Sequence, residues 1–263
     1  MREIRVENWT ELNELLFEDT WQESLGRHRS NFAFRGRALA GEGLETSLQR
    51  LGGEPASVEA PLIRSFRKYA RKSDVPYDSV WNWLALAQHH GLPSRLLDWT
   101  FSPYVALHFA TTQLLRYDED GVVWTIDYVR AHELLPESLR KVLRDEGANV
   151  FTAEMLDRVA RSRGELDQLA EDDDFVLFLE PPSLDERIVN QYALFSLMSS
   201  PEASLDEWAE RHEALVRKLV IPAGLKWEVR DKLDQANITE RVLFPGLDGL
   251  SSWLRRYYLP RGG

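Results

Sequence analysis

The first residues that could do chemistry lie in a short segment, Phe32–Arg37, which reads Phe-Ala-Phe-Arg-Gly-Arg. Alternate side chains of a β-strand point to opposite faces, so Phe32 and Phe34 would share one face and Arg35 would point the other way. An arginine at a strand end, beside a glycine that leaves the backbone approachable, is suited to hold a phosphate or a carboxylate with its planar guanidinium fork. The same pattern also fits an arginine that pairs with a nearby acidic side chain, so both interpretations stay open.

A second segment, Gln88–Trp99, concentrates polar, titratable and aromatic side chains between two predicted helices. A glycine and a proline within it favour a sharp turn, which would bring His90, Arg95 and Asp98 together. Arg95 and Asp98 could pair with each other, and a buried pair would be structural rather than catalytic. His89 and His90 are adjacent and so point in different directions, and the chain has no cysteine. No metal site is therefore expected, and we expect this segment and the first one to line a single cleft.

The sequence resembles the FRG domain family, which is named for its Phe-Arg-Gly motif. The residues that carry the resemblance are Phe34-Arg35-Gly36, the run Gln88–Thr100, Pro103, Ala106, Leu107, Phe109, Ala110, Arg187, Gln191, Phe195 and the run Leu243–Leu250. Together they span roughly residues 27–255. The sequence departs from the family pattern at Ala193, where glycine is usual, and at Ser94, where threonine is usual. The family is similar to accessory genes of phage and mobile elements, which implies a toxin or antiphage role.

A second resemblance is to the core of ADP-ribosyltransferases, through the Phe-Arg-Gly strand and the later pattern Trp-Thr-x-Ser-Pro-x-x-Ala-x-x-Phe-Ala. It implies NAD as a substrate, held by a residue on the first strand and by a serine or threonine before a helix, with a glutamate on a later strand orienting the ribose. For an NAD-using enzyme the residues expected to bind NAD are Arg35, Gly36, Arg95, Trp99, Thr100, Ser102 and Phe109, and those expected in catalysis are Arg35, His90, Gln191 and Glu186.

The parts of NAD can be assigned to these residues by their chemistry. Arg35 and Arg95 would hold the pyrophosphate, and Trp99 or Phe109 would stack on the nicotinamide. The expected glutamate has no clear counterpart. Gln191 stands near its place, and Glu186 lies five residues before it.

Three functions fit these residues. The first is an NAD-using ADP-ribosyltransferase-like enzyme, which would stabilise positive charge at C1′ without a metal. The second is a non-catalytic module that binds a nucleotide or a protein. The third is a metal-dependent nuclease, with ligands from Asp98, Asp127 or the acidic run Glu171–Asp174. A small nucleotide ligand is expected, and the sequence does not identify a protein or nucleic-acid acceptor.

Charge and composition narrow the possible ligands and the expected cellular location. The net charge is −11, which argues against broad non-specific binding of nucleic acid. The segment from Arg27 to Lys72 is nevertheless basic, with ten Lys and Arg against four Glu, and its field would favour a small anion. No leader sequence and no run of about 20 apolar residues is present, so a cytoplasmic protein without a membrane partner is expected.

The elements that must position these residues do not alternate regularly between strand and helix, which favours an α+β fold. We expect a small, mixed or antiparallel central sheet with helices around it, and the second resemblance implies an ADP-ribosyltransferase-like arrangement. Residues 1–26 are predicted to form a helical extension, with a helix from Asn8 through Leu25, and residues 27–263 to form one domain with a single core. Trp227–Val229 is predicted to be a short strand.

Overall fold

A seven-stranded sheet carries the fold in the computed structural model, which describes residues 2–170 and 173–260. The strands are β1 (Arg2–Arg5), β2 (Trp21–Gln22), β3 (Arg27–His28), β4 (Phe32–Arg37), β5 (Leu97–Thr100), β6 (Gly121–Asp127), β7 (Val176–Leu179), β8 (Ala193–Met198) and β9 (Val216–Ile221). The α-helices are α1 (Trp9–Leu16), α2 (Pro55–Tyr69), α3 (Val80–His89), α4 (Pro103–Ala110), α5 (Tyr128–Glu133), α6 (Glu137–Glu146), α7 (Ala153–Asp157), α8 (Arg163–Asp167), α9 (Glu186–Asn190), α10 (Leu205–Arg211), α11 (Lys226–Gln235), α12 (Glu240–Leu243) and α13 (Leu247–Tyr257). Short 3₁₀ turns lie at Gln49–Leu51, Lys72–Asp74, Leu114–Arg116, Glu213–Leu215 and Ala223–Leu225.

The strand order places β4, the strand with the Phe-Arg-Gly motif, in the middle of the sheet. The order is β1-β9-β6-β4-β5-β8-β7. Only β1 and β9 run parallel, and the other neighbours are antiparallel. Strands β2 and β3 form a separate hairpin. The fold is therefore α+β, as the sequence predicted, although the sheet is larger than expected.

Both faces of the sheet are covered, which explains why every residue of β6 is buried. On one face, Phe32 and Phe34 pack with apolar residues of α4 and α11. On the other face, Ala33 of the same strand packs with Trp99 and Trp124. Alternate residues of β4 thus enter different cores, so the central strand is fixed from both sides.

Three local predictions need correction. The helix capped by Asn8 ends at Leu16, because Asp19 has a left-handed backbone (φ 58°) and the chain then turns into the β2–β3 hairpin. Residues 2–5 are not helical but form β1, which pairs with β9 in the main sheet. The division between an N-terminal extension, residues 1–26, and a domain, residues 27–263, stays a prediction. Trp227–Val229 lies inside α11 and is not a strand.

None of the helices in residues 2–170 and 173–260 combines the length and the apolar character that a membrane span requires.

Candidate functional site

A cavity of about 620 Å³ opens beside the central strand β4. Its walls are formed by Phe34, Arg35, Gly36, Arg37, Gln88, His89, His90, Gly91, Asp98, Trp99, Thr100, Phe109, Arg187, Ile188, Gln191, Ala193 and Phe195. The Phe-Arg-Gly segment and the Gln88–Trp99 segment thus meet at one cavity, as expected from the sequence.

The cavity lies where β4 and β5 separate. Along its other edge β4 pairs with β6 over its whole length, from Phe32 to Arg37. Towards β5 a single registered pair forms, Phe34 with Thr100. Beyond that pair β4 and β5 have no further registered partners between them.

Arg35 bridges this opening. It is 8% exposed, and its Nη1 donates a hydrogen bond of 2.5 Å to the backbone carbonyl of Asp98. Within the described residues its guanidinium has no carboxylate partner, and its Nε has no hydrogen-bond partner. Burial lowers the pKa of Arg35 to about 10, with the charge of Asp98 acting in the opposite direction. The side chain is therefore still charged at neutral pH, and no ion pair of the kind the sequence also allowed is found for it among the described residues.

Asp98 presents a carboxylate on the opposite side of the opening, and a short polar relay holds it. The Gln88 side chain donates to Asp98 Oδ2 at 2.9 Å. The fully buried Ser94 hydroxyl donates to Gln88 Oε1 at 2.8 Å, and the Ser94 N–H donates to the hydroxyl of Ser47 at 3.1 Å. Because Ser94 occupies the oxygen of the Gln88 amide, the NH₂ end is the one that faces Asp98.

We expect Asp98→Ala to leave the free energy of unfolding within about 0.5 kcal/mol of the wild type, because Asp98 is solvent-exposed and substitutions of exposed residues usually change stability little. Asp98 is exposed and does not pair with Arg95. Urea denaturation followed by circular dichroism measures the change. A drop of several kcal/mol would show that Asp98 has a structural role after all.

Gly36 and helix α4 form another wall. A Cβ atom on Gly36 would lie 1.8 Å from the carbonyl oxygen of Ala106, so the strand touches the helix backbone directly. This contact places Phe109, near the end of α4, half-buried in the cavity wall. The sequence suggested that this glycine lets a ligand approach the backbone. The structure shows that what approaches is a helix.

Helix α9 and the residues after it form the facing wall. The Gln191 backbone carbonyl accepts a 2.7 Å hydrogen bond from the Thr100 hydroxyl, and the Gln191 amide nitrogen donates to the carbonyl of Leu243 at 3.0 Å. The Arg187 guanidinium lies 5.0 Å from the centre of the Phe244 ring, without a carboxylate partner among the described residues. Thr100 and Gln191 therefore fix this wall, and Arg187 adds a second cation to it.

Two histidines stand at the end of α3. His89 Nε2 lies 2.8 Å from Asp185 Oδ2, and Asp185 also caps α9 by accepting from the Ile188 N–H. Burial raises the pKa of Asp185, but the hydrogen bond from Ile188 and the neighbouring His89 outweigh it, so the pKa is below its usual value. His90 is exposed and packs edge-on against His89. His90 thus presents a ring to the cavity, while His89 ties α3 to α9.

Arg95 is not part of the cavity, so the prediction that it binds a ligand there is corrected. It is 3% exposed, and its Nε and Nη2 each donate to Glu59 at 2.6 Å. Its Nη1 donates to Asp167 at 2.6 Å. The guanidinium is fully occupied by these acids, which belong to α2 and α8.

Three other predicted residues have different positions from those expected. Trp99 borders the cavity, but its ring packs edge-on against Phe178 in the core and its N–H donates to Ser196 at 2.8 Å, so it offers no face for stacking. Ser102 caps α4 and Glu186 is exposed on α9, and neither lines the cavity. The expected catalytic acid is therefore not Glu186.

The candidate-site prediction also missed residues. Asp98, Gln88, His89 and Arg187 all line the cavity, but the sequence predicted none of them to bind NAD or to act in its cleavage. The first three lie within the motif segment, and a rule that took every polar residue of that segment would have found them. Arg187 lies 89 residues beyond Asp98 and reaches the cavity only through the tertiary fold.

Among the described residues, the acids proposed for a nuclease form no metal-binding group. In residues 2–170 and 173–260 no group of three His, Asp or Glu side chains is arranged to hold a metal ion. Asp127 instead caps α5 by accepting from the Arg130 N–H. Part of the acidic run Glu171–Asp174 lies outside the described residues.

Residues 30–119 match the family model of the FRG domain. The matched range contains both motif segments and helix α4, whereas the resemblance further along the chain, including Arg187 and Gln191, stays a prediction. No curated protein and no solved structure matches the chain, and the resemblance to ADP-ribosyltransferases has no support from these comparisons.

Proposed function

Because the chain contains an FRG domain whose motif residues meet at one cavity, we propose that this cavity binds a phosphate-bearing nucleotide and that NAD is its substrate. The observation that carries the proposal is that Arg35 is buried and its Nε has no hydrogen-bond partner among the described residues. A buried cation with no carboxylate in contact among the described residues is costly, and a buried Nε without a hydrogen-bond partner calls for a physical explanation. A bound phosphate would supply both the missing charge and the missing hydrogen bonds.

The size and electrostatics of the cavity support a nucleotide. About 620 Å³ is within the range of roughly 300–1,000 Å³ common for small-molecule sites. Arg35 and Arg187 bring positive charge that no described carboxylate pairs with, whereas Arg37 is already paired with Glu42 at 2.5 Å. Charge-assisted hydrogen bonds from a guanidinium to a phosphate are stronger than neutral ones.

The same residues can be given roles in breaking the nicotinamide–ribose bond of NAD. Arg35 would hold a phosphate, and the half-buried Phe109 would offer a ring against the nicotinamide. As the C1′–N bond breaks, its electron pair leaves with the nicotinamide and positive charge develops at C1′. The carboxylate of Asp98 would stabilise that charge and take the proton of the nucleophile that bonds to C1′. Water as that nucleophile gives ADP-ribose, and a side chain gives an ADP-ribosylated acceptor.

Release of nicotinamide from NAD tests this function directly. We expect the purified protein to release nicotinamide, and Asp98→Asn to lose at least about tenfold in rate, as when one stabilising group is removed from a transition state. Asn keeps the size of the side chain and can still accept from Gln88, so the variant should fold. A folded wild type that neither binds nor cleaves NAD would contradict the proposal.

A non-catalytic binding module is the second candidate, because the polar groups of Thr100 and Gln191 are used to hold the cavity wall. It predicts binding of NAD or ADP-ribose with no release of nicotinamide. If the protein instead cleaves NAD, its expression in cells should also lower the cellular NAD concentration. That outcome would agree with the toxin or antiphage role implied by the family.

A further inference from the structure

A basic patch lies at the end of helix α2, on a chain whose net charge is −11. It consists of Arg64, Lys68, Arg71 and Lys72, all of which are exposed. Residues 60–73 contain no acidic residue. Arg67, between these residues, pairs with Asp78 at 2.6 Å, whereas the four residues of the basic patch have no ion-pair partner in the described part of the chain.

The stability of α2 does not account for the basic patch. A helix dipole favours cations in the last turn, and its effect falls off within that turn. Helix α2 ends at Tyr69, so the dipole accounts for Lys68 but not for Arg64, Arg71 or Lys72. Arg64 and Lys68 are also four residues apart, a spacing at which like charges destabilise a helix. An anionic partner would relieve this repulsion.

Tyr69 stands within the basic patch, and its ring is open to solvent. The residue is 82% exposed, and Lys68 Nζ lies 5.4 Å from the centre of the ring. A ring so exposed contributes little to the core. Proteins that bind single-stranded nucleic acid combine cations that follow the phosphates with aromatic rings on which the bases stack. The basic patch and Tyr69 supply both parts.

The apolar side of α2 is already covered by the protein, which argues against a lipid partner. Phe66, Ala70 and Leu184 pack against the buried side chains of Trp83 and Leu86. A helix that lies on a membrane places its apolar side in the lipid, and here that side faces α3. The exposed side of α2 therefore offers cations and one aromatic ring, which suit the phosphates and bases of a nucleic acid.

The same packing attaches the basic patch to two elements of the cavity wall. Leu86 of α3 lies three residues before His89, and Leu184 lies three residues before Arg187. Both His89 and Arg187 line the cavity. A polymer bound at the basic patch would therefore lie beside the wall that α3 and α9 form.

We propose that the basic patch and Tyr69 bind a short stretch of single-stranded nucleic acid. The four cations contact about four phosphates, and a base stacks on the ring of Tyr69. The excess of acidic residues elsewhere in the chain repels phosphates and confines the contact to this patch. This binding does not depend on what the cavity binds.

Fluorescence anisotropy of a labelled oligodeoxythymidine of about ten nucleotides, titrated with the full chain, tests the proposal. The wild type is expected to bind, with a slope of log K against log salt of about −3, because each phosphate contact on a single strand contributes about −0.7. Lys68→Glu with Lys72→Glu should lose at least about tenfold in affinity and show a shallower slope.

A charge-matched variant controls for net charge. Arg116→Glu with Lys141→Glu makes the same change in net charge outside the basic patch, at side chains that are 50% and 64% exposed, and it should bind nearly like the wild type. A wild type that binds no oligonucleotide overturns the proposal, also where it binds vesicles of phosphatidylcholine and phosphatidylglycerol instead. Equal losses in the two double variants overturn it as well.

Substitutions of Tyr69 test the stacking. Tyr69→Ala should lose about fivefold or more in affinity, whereas Tyr69→Phe keeps the ring and should bind like the wild type. Circular dichroism confirms that both variants are folded, as the exposure of Tyr69 leads us to expect. Wild-type affinity in Tyr69→Ala would overturn the assignment to a single strand.

Discussion

We expect Gly36→Ala to lower the free energy of unfolding by about 3 kcal/mol or more, at the upper end of the cost of overpacking. The new methyl group would lie 1.8 Å from Ala106 O, 2.7 Å from Ala106 C and 2.8 Å from Ala110 N. All three are backbone atoms of α4, so no side chain can rotate to relieve the contact. Either the helix or the central strand must move, and both line the cavity. Urea denaturation of the variant measures the loss.

Gly164→Ala is the matched control for this substitution. Gly164 lies in α8, has no heavy atom within 4 Å of its would-be Cβ, and does not need a left-handed backbone. Alanine is the better helix former, so this variant should be neutral or more stable by up to about 1 kcal/mol. Equal midpoints for Gly36→Ala and the wild type would mean that strand β4 and α4 are not in the contact described.

The second large effect is expected for Arg95→Ala, at about 3–5 kcal/mol of lost stability, the usual result of breaking a buried ion pair. Glu59 is 3% exposed, and of its ion-pair partners in the described part of the chain Arg163, at 3.2 Å, would remain. Asp167 would also lose its partner. The contacts tie the segment before β5 to α2 and α8, so their loss should loosen the support of one side of the cavity.

An exposed ion pair gives the comparison for Arg95. Arg116 and Glu119 lie 2.8 Å apart with side chains about half exposed, so Arg116→Ala should cost no more than about 1 kcal/mol. The two variants remove the same side chain and differ in burial. A similar small loss for both would show that the Arg95 cluster is accessible to water.

The adjacency of the two motif segments was predictable, because crowded polar groups between core elements indicate a site. The ion-pair partners of Arg95 could not be predicted from the sequence. Asp98 is three residues away and seemed a natural partner, yet in the fold Glu59 and Asp167 approach from 36 and 72 residues away. The expected stacking role of Trp99 failed for another reason. Side chains alternate along β5, so Trp99 faces the core while Asp98 faces the opening.

The errors in the predicted helices and strands also arise from contacts between residues that are distant in the sequence. The apolar residues after Leu16 continue a helical spacing, but Trp21 pairs with His28 in a hairpin instead. Trp227–Val229 has residues typical of strands and still lies in α11, where Val229 packs under the sheet. Local propensity is weaker than such packing. The strand with Phe-Arg-Gly was predictable because its alternating aromatic residues are typical of a strand, and in the fold both of its faces are buried.

The central claim is that Arg35 holds a phosphate of the ligand through its planar fork. Calorimetric titration of ADP-ribose into wild type, Arg35→Lys and Arg37→Lys tests it most directly, with circular dichroism to confirm folding. Lysine keeps the charge but cannot bind two oxygens with fixed geometry, so Arg35→Lys should lose about 1.5–3 kcal/mol of binding free energy. Arg37→Lys can keep its pair with Glu42 and should bind like the wild type. Full affinity in a folded Arg35→Lys protein would contradict the account.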